Sequence, residues 1–286
     1  MTTAAKEGSA AKEQAGLRDV IAGPSAICEV YGGDPKRDIP GKLTYRGYDI
    51  NDLAEHSTFE ETTYLLWHGE LPARAQLAEL EQQLQADRAL PPELLDLMRR
   101  LPKRSTPMDV LRTTVSALQL WDPEGSDDGE AANHHKALRL TAKLPTLVAT
   151  WHRLRSGQEP IPPKPGHNTA EAFLYMLTGD DTDDVAERSL DVALILHADH
   201  ELNASTFAAR VTAATLSDVH SAITSAIGAL IGPLHGGANE NVLRMLLDIG
   251  DASKVESYVE PRLARKGYRL PGFGHAVYKT TDPRAT

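Results

Sequence analysis

The sequence predicts a mainly α-helical protein with a short β region near its N-terminus. Alanine and leucine are plentiful while aromatic residues make up only 5% of the chain, and this balance favours helix over sheet. Apolar residues recur at helical spacing from about residue 58 onward, and no strand-like alternation follows the first fifty residues. A chain of 286 residues can form one large domain or two modest ones.

The N-terminal part should contain little helix. Residues 1–16 are small, polar and charged, so we predict a disordered leader and not a secretory signal. From about residue 20 to residue 50, glycines and prolines interrupt an extended region in which Leu43-Thr44-Tyr45 is a candidate strand. The first helix is expected to start after Thr58, which can cap it, and to stop at Gly69.

Helices should then follow one another to the end of the chain. A second helix carries leucines at helical spacing and is broken before Pro91. Further helices are predicted at residues 92–100, 107–121, 135–157, 168–178, 183–200, 204–216, 218–231, 236–248 and 252–266. The acidic stretch 122–130 and the proline-rich stretch 159–165 are expected to be surface loops.

Composition and charge exclude several classes of function. The formal net charge is -10, with 30 basic and 40 acidic residues, which argues against nucleic acid as a general partner. Cys28 is the only cysteine, so neither an internal disulfide nor a multi-cysteine metal centre is expected, and it should be a small buried side chain. The least polar stretch, 204–231, contains Arg210, Asp218 and His220, so no membrane span is expected and we predict a cytoplasmic protein.

The helix predicted at 183–200 starts with a solvent-facing polar stripe that includes Asp191, and residues 192–196 are apolar on every side. Four ionisable residues then occupy the next five positions: His197, Asp199, His200 and Glu201. His197, His200 and Glu201 would share one face if the helix persisted. The spacing leaves three interpretations open: a metal site, a satisfied polar network at a helix end, and a substrate-binding site. The order is not H-E-x-x-H and no second Glu-x-x-His element accompanies it, which weighs against a metal.

Two further histidines lie in glycine-rich segments, His235 within 232–240 and His275 within 271–278. The glycines free the backbone, so such a loop can bring an imidazole close to a ligand; an ordinary turn with an exposed histidine is the alternative. Residues 262–284 contain six basic side chains and one acid, which indicates an anionic ligand: Arg262, Arg265, Lys266, Arg269, Lys279 and Arg284 against Asp282. Histidines and arginine in this setting indicate carbonyl chemistry on a polyanionic substrate.

In order along the chain, these segments resemble three consecutive motifs of the citrate synthase family. The matching residues are His197-Ala198-Asp199-His200-Glu201-Leu202-Asn203, Gly232-Pro233-Leu234-His235-Gly236-Gly237-Ala238-Asn239, and Gly272-Phe273-Gly274-His275-Ala276-Val277-Tyr278-Lys279 continuing to Asp282-Pro283-Arg284. Residues 43–50 and 64–72 also resemble the bacterial branch of the family. The resemblance runs from about residue 17 to the end, and the joint match of three motifs in order is highly specific.

The resemblance implies an all-helical homodimer or higher oligomer. A citrate synthase-like large domain would span 17–232, and 233–286 would be part of a smaller domain carrying CoA and substrate contacts. The implied reaction condenses acetyl-CoA with oxaloacetate and water to give citrate and CoA, the first step of the tricarboxylic acid cycle. Acetyl-CoA is then a co-substrate; no metal or permanently bound cofactor, nucleic acid or membrane is implied. The motifs do not separate this activity from 2-methylcitrate synthase, which uses propionyl-CoA.

The resemblance also implies a role for individual residues. His235 would hydrogen-bond the acyl-CoA carbonyl and stabilise its enol or enolate. His275 would polarise the ketone of oxaloacetate, while His200 and Arg284 would bind oxaloacetate, the arginine gripping a carboxylate. The CoA moiety would lie against the segment before His275, on Arg269, Leu270, Gly272, Phe273 and Gly274.

One feature of the family pattern has no match in this sequence. The family's catalytic base is an aspartate in a motif well after the region corresponding to Arg284, and none of the acids present sits in that motif. We therefore assign no base and expect the chain to be a C-terminally truncated fragment, inactive alone if a segment with that aspartate is missing. A natural truncation, or a partner that supplies the segment, is the alternative. Two other classes remain as alternatives: a catalytically inactive helical module, and a metal-dependent hydrolase built on His197, His200 and Glu201.

Overall fold

A computed structural model describes residues 23–286, apart from Leu234, Ala276, Thr286 and the side chain of Ala238. The predicted leader, 1–16, lies outside the described residues. The described part is mainly helical with one small antiparallel sheet of order β1-β2-β3, which confirms the predicted fold class.

The strands are β1 (Cys28–Tyr31), β2 (Lys42–Tyr45) and β3 (Tyr48–Asp49). The helices are α1 (Ile50–His56), α2 (Phe59–His68), α3 (Arg74–Asp87), α4 (Pro92–Arg100), α5 (Pro107–Leu118), α6 (Glu130–Arg155), α7 (Thr169–Thr178), α8 (Asp184–Leu196), α9 (Ala204–Ala213), α10 (Val219–Leu230), α11 (Gly237–Ile249) and α12 (Val255–Leu263). Short 3-10 turns lie at Gln119–Trp121, Ala252–Lys254 and Pro283–Ala285.

The helix start predicted after Thr58 is confirmed. At the start of α2, the Thr58 hydroxyl accepts the Glu61 N–H while the Glu61 carboxylate accepts the Thr58 N–H, a reciprocal capping box. Gly69 ends this helix in the left-handed conformation, with φ of 89°. Asn168 begins α7 with the same kind of capping box, formed with Glu171.

The largest differences from the sequence prediction are in three places. The helix α1 was not predicted; it has only seven residues, and Asp49 caps it by accepting the Asn51 N–H. The helix α6 begins at Glu130 instead of 135. In the first turns of this helix, the fully buried Lys136 ammonium group donates to the carbonyl of Asp127. This bond holds the acidic loop against the start of α6.

The third difference lies at α8, which ends at Leu196 and not at residue 200. The His197 imidazole donates from Nδ1 to the carbonyl of Ala193 at 2.6 Å, so it closes the last turn of the helix. Asp191, expected on a solvent-facing stripe of α8, is only 5% exposed. Its carboxylate accepts the N–H of Phe59 at the start of α2 and pairs with Arg188, so it is an internal tie.

The main hydrophobic core surrounds α6, against which α3, α5 and α7 pack. Its buried side chains come from α4, α5, α6 and α10: Leu94, Met98, Val110, Val115, Leu118, Leu140, Leu147, Trp151, Leu154 and Ile227. Burying each large apolar side chain contributes about 1.5–3 kcal/mol. In the part of the chain that the structure describes, no helix is both long and apolar enough to cross a membrane.

A second core lies beneath the small sheet and fixes the end of α8. Leu43 and Tyr45 of β2 and Ile195 of α8 have no exposed surface and belong to one apolar cluster. Cys28 of β1 joins them at 4% exposure, as predicted, and burial together with nearby Asp199 raises the pKa of its thiol to about 12. The sheet therefore anchors the point at which the chain leaves α8.

Candidate active site

His200 lies on the loop that joins α8 to α9, and the sheet holds this loop from below. The Tyr45 hydroxyl lies 3.1 Å from the carbonyl oxygen of Ile195 and 3.0 Å from that of Asp199, and it accepts the Asp199 N–H at 3.2 Å. Because the Tyr45 ring is fully buried, these bonds fix the loop relative to β2. The backbone on the N-terminal side of His200 is thus set by contacts with the core.

His275 is held in a single tautomer by its own loop. Its Nδ1 accepts the backbone N–H of Val277 at 3.1 Å and that of Tyr278 at 3.2 Å. A nitrogen that accepts two amide protons carries none itself, so the imidazole proton is on Nε2. His275 therefore presents Nε2–H as a hydrogen-bond donor, and it is on the exposed side of the loop.

Tyr278 is the point around which three of the predicted site residues meet. His200 Nε2 lies 3.2 Å from the Tyr278 hydroxyl, and the ring centres of His200 and His275 are 5.3 Å apart. The ring centre of Tyr278 is 4.8 Å from that of His275 and 5.8 Å from the guanidinium carbon of Arg284. Since Tyr278 is only 4% exposed, it forms the floor of this group.

Arg284 is paired with a carboxylate of its own loop. Its Nε donates to one oxygen of Asp282 at 3.0 Å, and Nη2 donates to the other at 2.7 Å. Burial favours the protonated form of Asp282, but the bonds from Arg284 outweigh it and keep the pKa of the carboxyl below its usual value. The guanidinium is thus held in one orientation, with two of its five N–H donors used on Asp282.

Desolvation and the guanidinium favour the neutral form of both imidazoles. Desolvation, followed by the charge of Arg284 and then by His275, lowers the pKa of His200 from 6.5 to about 4. Desolvation and Arg284 also lower the pKa of His275. Burial, with Asp282 nearby, raises the pKa of Tyr278 to about 12, so its hydroxyl stays protonated and can donate to His200.

The neutral state of His200 predicts how stability depends on pH. Its pKa is about 4 in the folded protein against 6.5 for an ordinary histidine, so the unfolded chain binds more protons between these values. The free energy of unfolding should be fully developed above about pH 6.5 and should fall as the pH drops toward about 4. Urea unfolding at several pH values should show a weaker fall for His200→Asn than for wild type.

An exposed histidine provides the control for this measurement. The His56 side chain is 70% exposed, so His56→Asn should keep the wild-type pH dependence. Equal pH dependence in wild type and His200→Asn would contradict the assignment of a buried, neutral His200.

His235 lies on a tight turn between α10 and α11. The carbonyl of Gly232 accepts the His235 N–H at 2.9 Å, and a Cβ at Gly236 would collide with Leu230. His235 Nε2 lies 2.8 Å from the hydroxyl of Ser205, in the first turn of α9. Because α9 directly follows the loop that carries His200, this bond ties His235 to the same region of the molecule.

The residues predicted to contact CoA lie on an exposed turn beside α11. The carbonyl of Leu270 accepts the Phe273 N–H at 3.2 Å, and Gly272 and Gly274 adopt left-handed backbone angles of 82° and 87°. A Cβ at Gly272 would lie 3.0 Å from a methyl group of Val242 on α11. Phe273 is 72% exposed, and Arg269 is exposed as well. The glycines allow the sharp turn that presents Phe273 to solvent.

The shared helical face required by the metal hypothesis does not exist. His197, His200 and Glu201 all lie beyond the end of α8, and their side chains have separate partners. His197 donates to the carbonyl of Ala193, His200 contacts Tyr278, and a Glu201 carboxylate oxygen accepts the N–H of Val30 at 3.0 Å. Among the described residues, no group of three or more His, Cys, Asp or Glu side chains could hold a metal ion.

Two site residues were not identified from the sequence. Tyr278 belonged to a recognised motif but received no role; its place directly after a glycine-flanked histidine was the available signal. Ser205 lies in a stretch of small residues that predicts only close helix packing, so nothing in the sequence distinguished it.

Comparison with known proteins places this geometry in context. A sequence model of the family described as "Citrate synthase, C-terminal domain" matches residues 16–286. The chain is 48% identical over 271 residues to citrate synthase 2 of Bacillus subtilis, covering 94% of this chain and 70% of that protein. It is 44% identical over 269 residues to 2-methylcitrate synthase of Mycobacterium tuberculosis, covering 94% of this chain and 66% of that protein.

Solved structures are also similar to this chain. The citrate synthase of Pyrobaculum aerophilum superimposes with a TM-score of 0.86 at 38% identity, covering 100% of this chain and 73% of that one. The citrate synthase of Thermoplasma acidophilum, solved as a ternary complex with carboxymethyl coenzyme A and oxaloacetate, gives a TM-score of 0.85 at 32% identity. That superposition covers 94% of this chain and 69% of the other.

Proposed function

Because this chain belongs to the citrate synthase family, we propose that it catalyses the condensation of acetyl-CoA with oxaloacetate and water to give citrate and CoA. The observation that carries the proposal is the group formed by His200, His275 and Arg284 around Tyr278. Neutral imidazole donors beside a guanidinium suit a small dicarboxylate that bears a ketone. The similarity to citrate synthase 2 of Bacillus subtilis supports acetyl-CoA as the acyl donor.

His275 is proposed to polarise the ketone of oxaloacetate. Its Nε2–H is the donor left after Nδ1 has accepted two backbone amides. As the new carbon–carbon bond forms, negative charge grows on the ketone oxygen, and a donor already in place stabilises that charge without reorganisation. The lowered pKa of His275 favours the neutral imidazole as the donor.

His235 is proposed to stabilise the enol or enolate of the thioester. If the Ser205 hydroxyl donates to Nε2, the imidazole proton lies on Nδ1, which then donates to the thioester carbonyl oxygen. The methyl group of a thioester is a weak acid, so its deprotonation depends on stabilising the oxygen that becomes negative. Ser205 would then be a positioning residue that acts through His235.

His200 and Arg284 are proposed to bind the carboxylates of oxaloacetate. Arg284 would use the donors that do not bind Asp282, and its orientation is already set by that ion pair. The CoA moiety is proposed to lie on the turn that carries Phe273, near Arg269. No permanently bound cofactor enters this scheme.

No described acid near these histidines is proposed as the base that removes the proton from the thioester methyl group. Asp282 is paired with Arg284, Asp199 accepts the Glu201 N–H, and Glu201 accepts a backbone N–H of β1. Each carboxylate thus has a structural partner.

The related activity of 2-methylcitrate synthase is a second candidate, supported by the 44% identity to the protein of that name from Mycobacterium tuberculosis. The two candidates differ in the acyl group, so release of free CoA thiol in the presence of oxaloacetate distinguishes them. We expect faster release from acetyl-CoA than from propionyl-CoA by the native protein. Faster release from propionyl-CoA would support the second candidate, and release from neither by a full-length protein that includes the segment with the family's catalytic aspartate would refute both.

A second copy of the chain is the proposed partner. Three leucines of α11, Leu243, Leu246 and Leu247, are 58%, 56% and 72% exposed, an apolar face that an isolated chain would leave in water. A monomeric mass by light scattering would contradict the dimer.

We further propose that residues 17–232 form the large domain and that 233–286 belong to the smaller one.

A further inference from the structure

Glu201, which follows His200 directly, has an unusual backbone conformation. Its φ is 56°, in the left-handed region that residues with a side chain rarely adopt. Such a conformation persists only where surrounding contacts hold it in place. The proposed reaction does not use Glu201, so another role must account for the contacts that hold its backbone in the left-handed conformation.

Two hydrogen bonds hold Glu201 in this conformation. A side-chain carboxylate oxygen accepts the N–H of Val30 at 3.0 Å, across 171 positions of sequence. The backbone N–H of Glu201 donates to the Asp199 carboxylate at 2.8 Å. His200 lies between Asp199 and Glu201, so both ends of the short segment that presents its imidazole are fixed.

The partner of Glu201 lies on the outer edge of the small sheet. In the described part of the sheet, β1 pairs with β2 on one side, in register from Cys28 opposite Tyr45 to Tyr31 opposite Lys42. The Val30 N–H faces the other side, where the edge of a sheet offers unpaired backbone groups. The Glu201 carboxylate therefore accepts a backbone N–H at the sheet edge that would otherwise need another hydrogen-bond partner.

The same edge also holds the segment that carries His275. Two residues after Val30, the carbonyl of Gly32 accepts the Lys279 N–H at 2.6 Å. A Cβ at Gly32 would collide with the carbonyl of Val277, so the two backbones meet at a distance that only glycine allows. Val30 and Gly32 thus fasten two segments that lie far apart in sequence.

We infer that Glu201 is a positioning residue, which clamps the His200 loop to the edge of β1, and that this edge sets the distance between His200 and His275. The clamp depends on an acceptor oxygen at the end of the residue 201 side chain, because its partner is a backbone N–H. The inference rests on the proposed function only in that oxaloacetate is the ligand shared by the two histidines.

Substitutions at position 201 test the clamp. Glu201→Ala removes the acceptor and should raise KM for oxaloacetate by about tenfold, the effect of losing one ordinary hydrogen bond, while KM for acetyl-CoA stays within about twofold. Glu201→Gln keeps an acceptor oxygen and should restore KM for oxaloacetate to within about twofold of wild type. Glu29→Ala, which removes an exposed carboxylate from β1, is the matched control and should behave as wild type.

Two outcomes would overturn the inference. One is an unchanged KM for oxaloacetate in Glu201→Ala. The other is a Glu201→Gln protein as impaired as Glu201→Ala, since the charge and not the hydrogen bond would then matter. A purely structural role would impair both substrates alike, so the difference between the two KM values separates positioning from general destabilisation.

A steric substitution at the second contact tests the edge independently, even if Glu201→Ala does not fold. The Gly32 backbone angle is one that alanine can adopt, so Gly32→Ala acts through its Cβ, which should push the His275 segment outward and lower kcat at least tenfold. Gly228→Ala, where a Cβ meets nothing within 4 Å, is the control. Wild-type kcat in Gly32→Ala would contradict the role of this edge.

One measurement needs no turnover, which keeps the failure of this inference distinct from failure of the proposed function. If wild type neither binds oxaloacetate nor releases thiol, the proposed function fails. The clamp is still tested by amide hydrogen exchange at Val30, which should accelerate at least tenfold in Glu201→Ala and stay near wild type in Glu201→Gln. Unchanged exchange in Glu201→Ala would refute the clamp.

Discussion

Replacing His275 by asparagine should lower kcat by about 10²–10³-fold while the protein stays folded. The asparagine side-chain oxygen lies near the position of Nδ1, so it can still accept the backbone N–H groups of Val277 and Tyr278. What asparagine cannot do is donate from the position of Nε2. The variant therefore removes the proposed donor to the ketone while it preserves the loop, and steady-state thiol release with far-UV circular dichroism measures both effects.

A glutamine at the same position serves as the complementary control. Its amide nitrogen reaches near the position of Nε2, so His275→Gln should lose only about tenfold in kcat. A second control is His56→Asn, which changes an exposed histidine at the end of α1 and should leave kcat unchanged. If His275→Asn kept most of its activity, His275 would not be the donor to the ketone.

Replacing His235 by alanine should lower kcat by about 10²–10⁴-fold, with a small effect on stability. The imidazole is half-buried on a turn and is not part of either main apolar cluster, so its removal leaves the core intact. Its loss takes away the proposed donor to the enol or enolate oxygen. Thiol release, together with exchange of the acetyl-CoA methyl protons with solvent, measures this step directly.

The hydrogen bond between Ser205 and His235 allows a second test of the proposed role of His235. If Ser205 acts only through His235, Ser205→Ala should slow wild type by about tenfold but should have no further effect in the His235→Ala background. Additive losses in the double variant would show that Ser205 acts by another route. Nearly wild-type kcat and methyl exchange in His235→Ala would contradict the role of His235 itself.

Short sequence patterns predicted helix boundaries well where a side chain caps its own helix. Thr58 and Asn168 each form a capping box within four residues, so the signal is contained in a short stretch of sequence. The end of α8 was misplaced because its apolar run continues to Leu196 and ionisable residues extended the apparent pattern. Asp191 was placed in solvent because its partners, Phe59 and Arg188, include a residue of another helix that no periodicity reveals.

In the candidate site too, features within short stretches of sequence were predicted and contacts between distant segments were not. Its histidines were found because motifs concentrate glycine and histidine in short segments. The contacts that arrange them were not found, because Tyr278 meets His200 and Glu201 meets Val30 across long stretches of sequence. Glu201 was considered as a metal ligand, since a carboxylate near two histidines gives the same local pattern whether it binds a cation or a backbone N–H.

The two bonds on the edge of β1 have a consequence for the order in which the protein is made. Lys279 is synthesised about 250 residues after Gly32, which at about 5–20 residues per second corresponds to roughly 10–50 s. During that interval the edge of β1 lacks one of its partners in the growing chain. His200 and His275 therefore reach their native spacing only late in synthesis, and until then the nascent chain presents a strand edge that chaperones would have to shield from other chains.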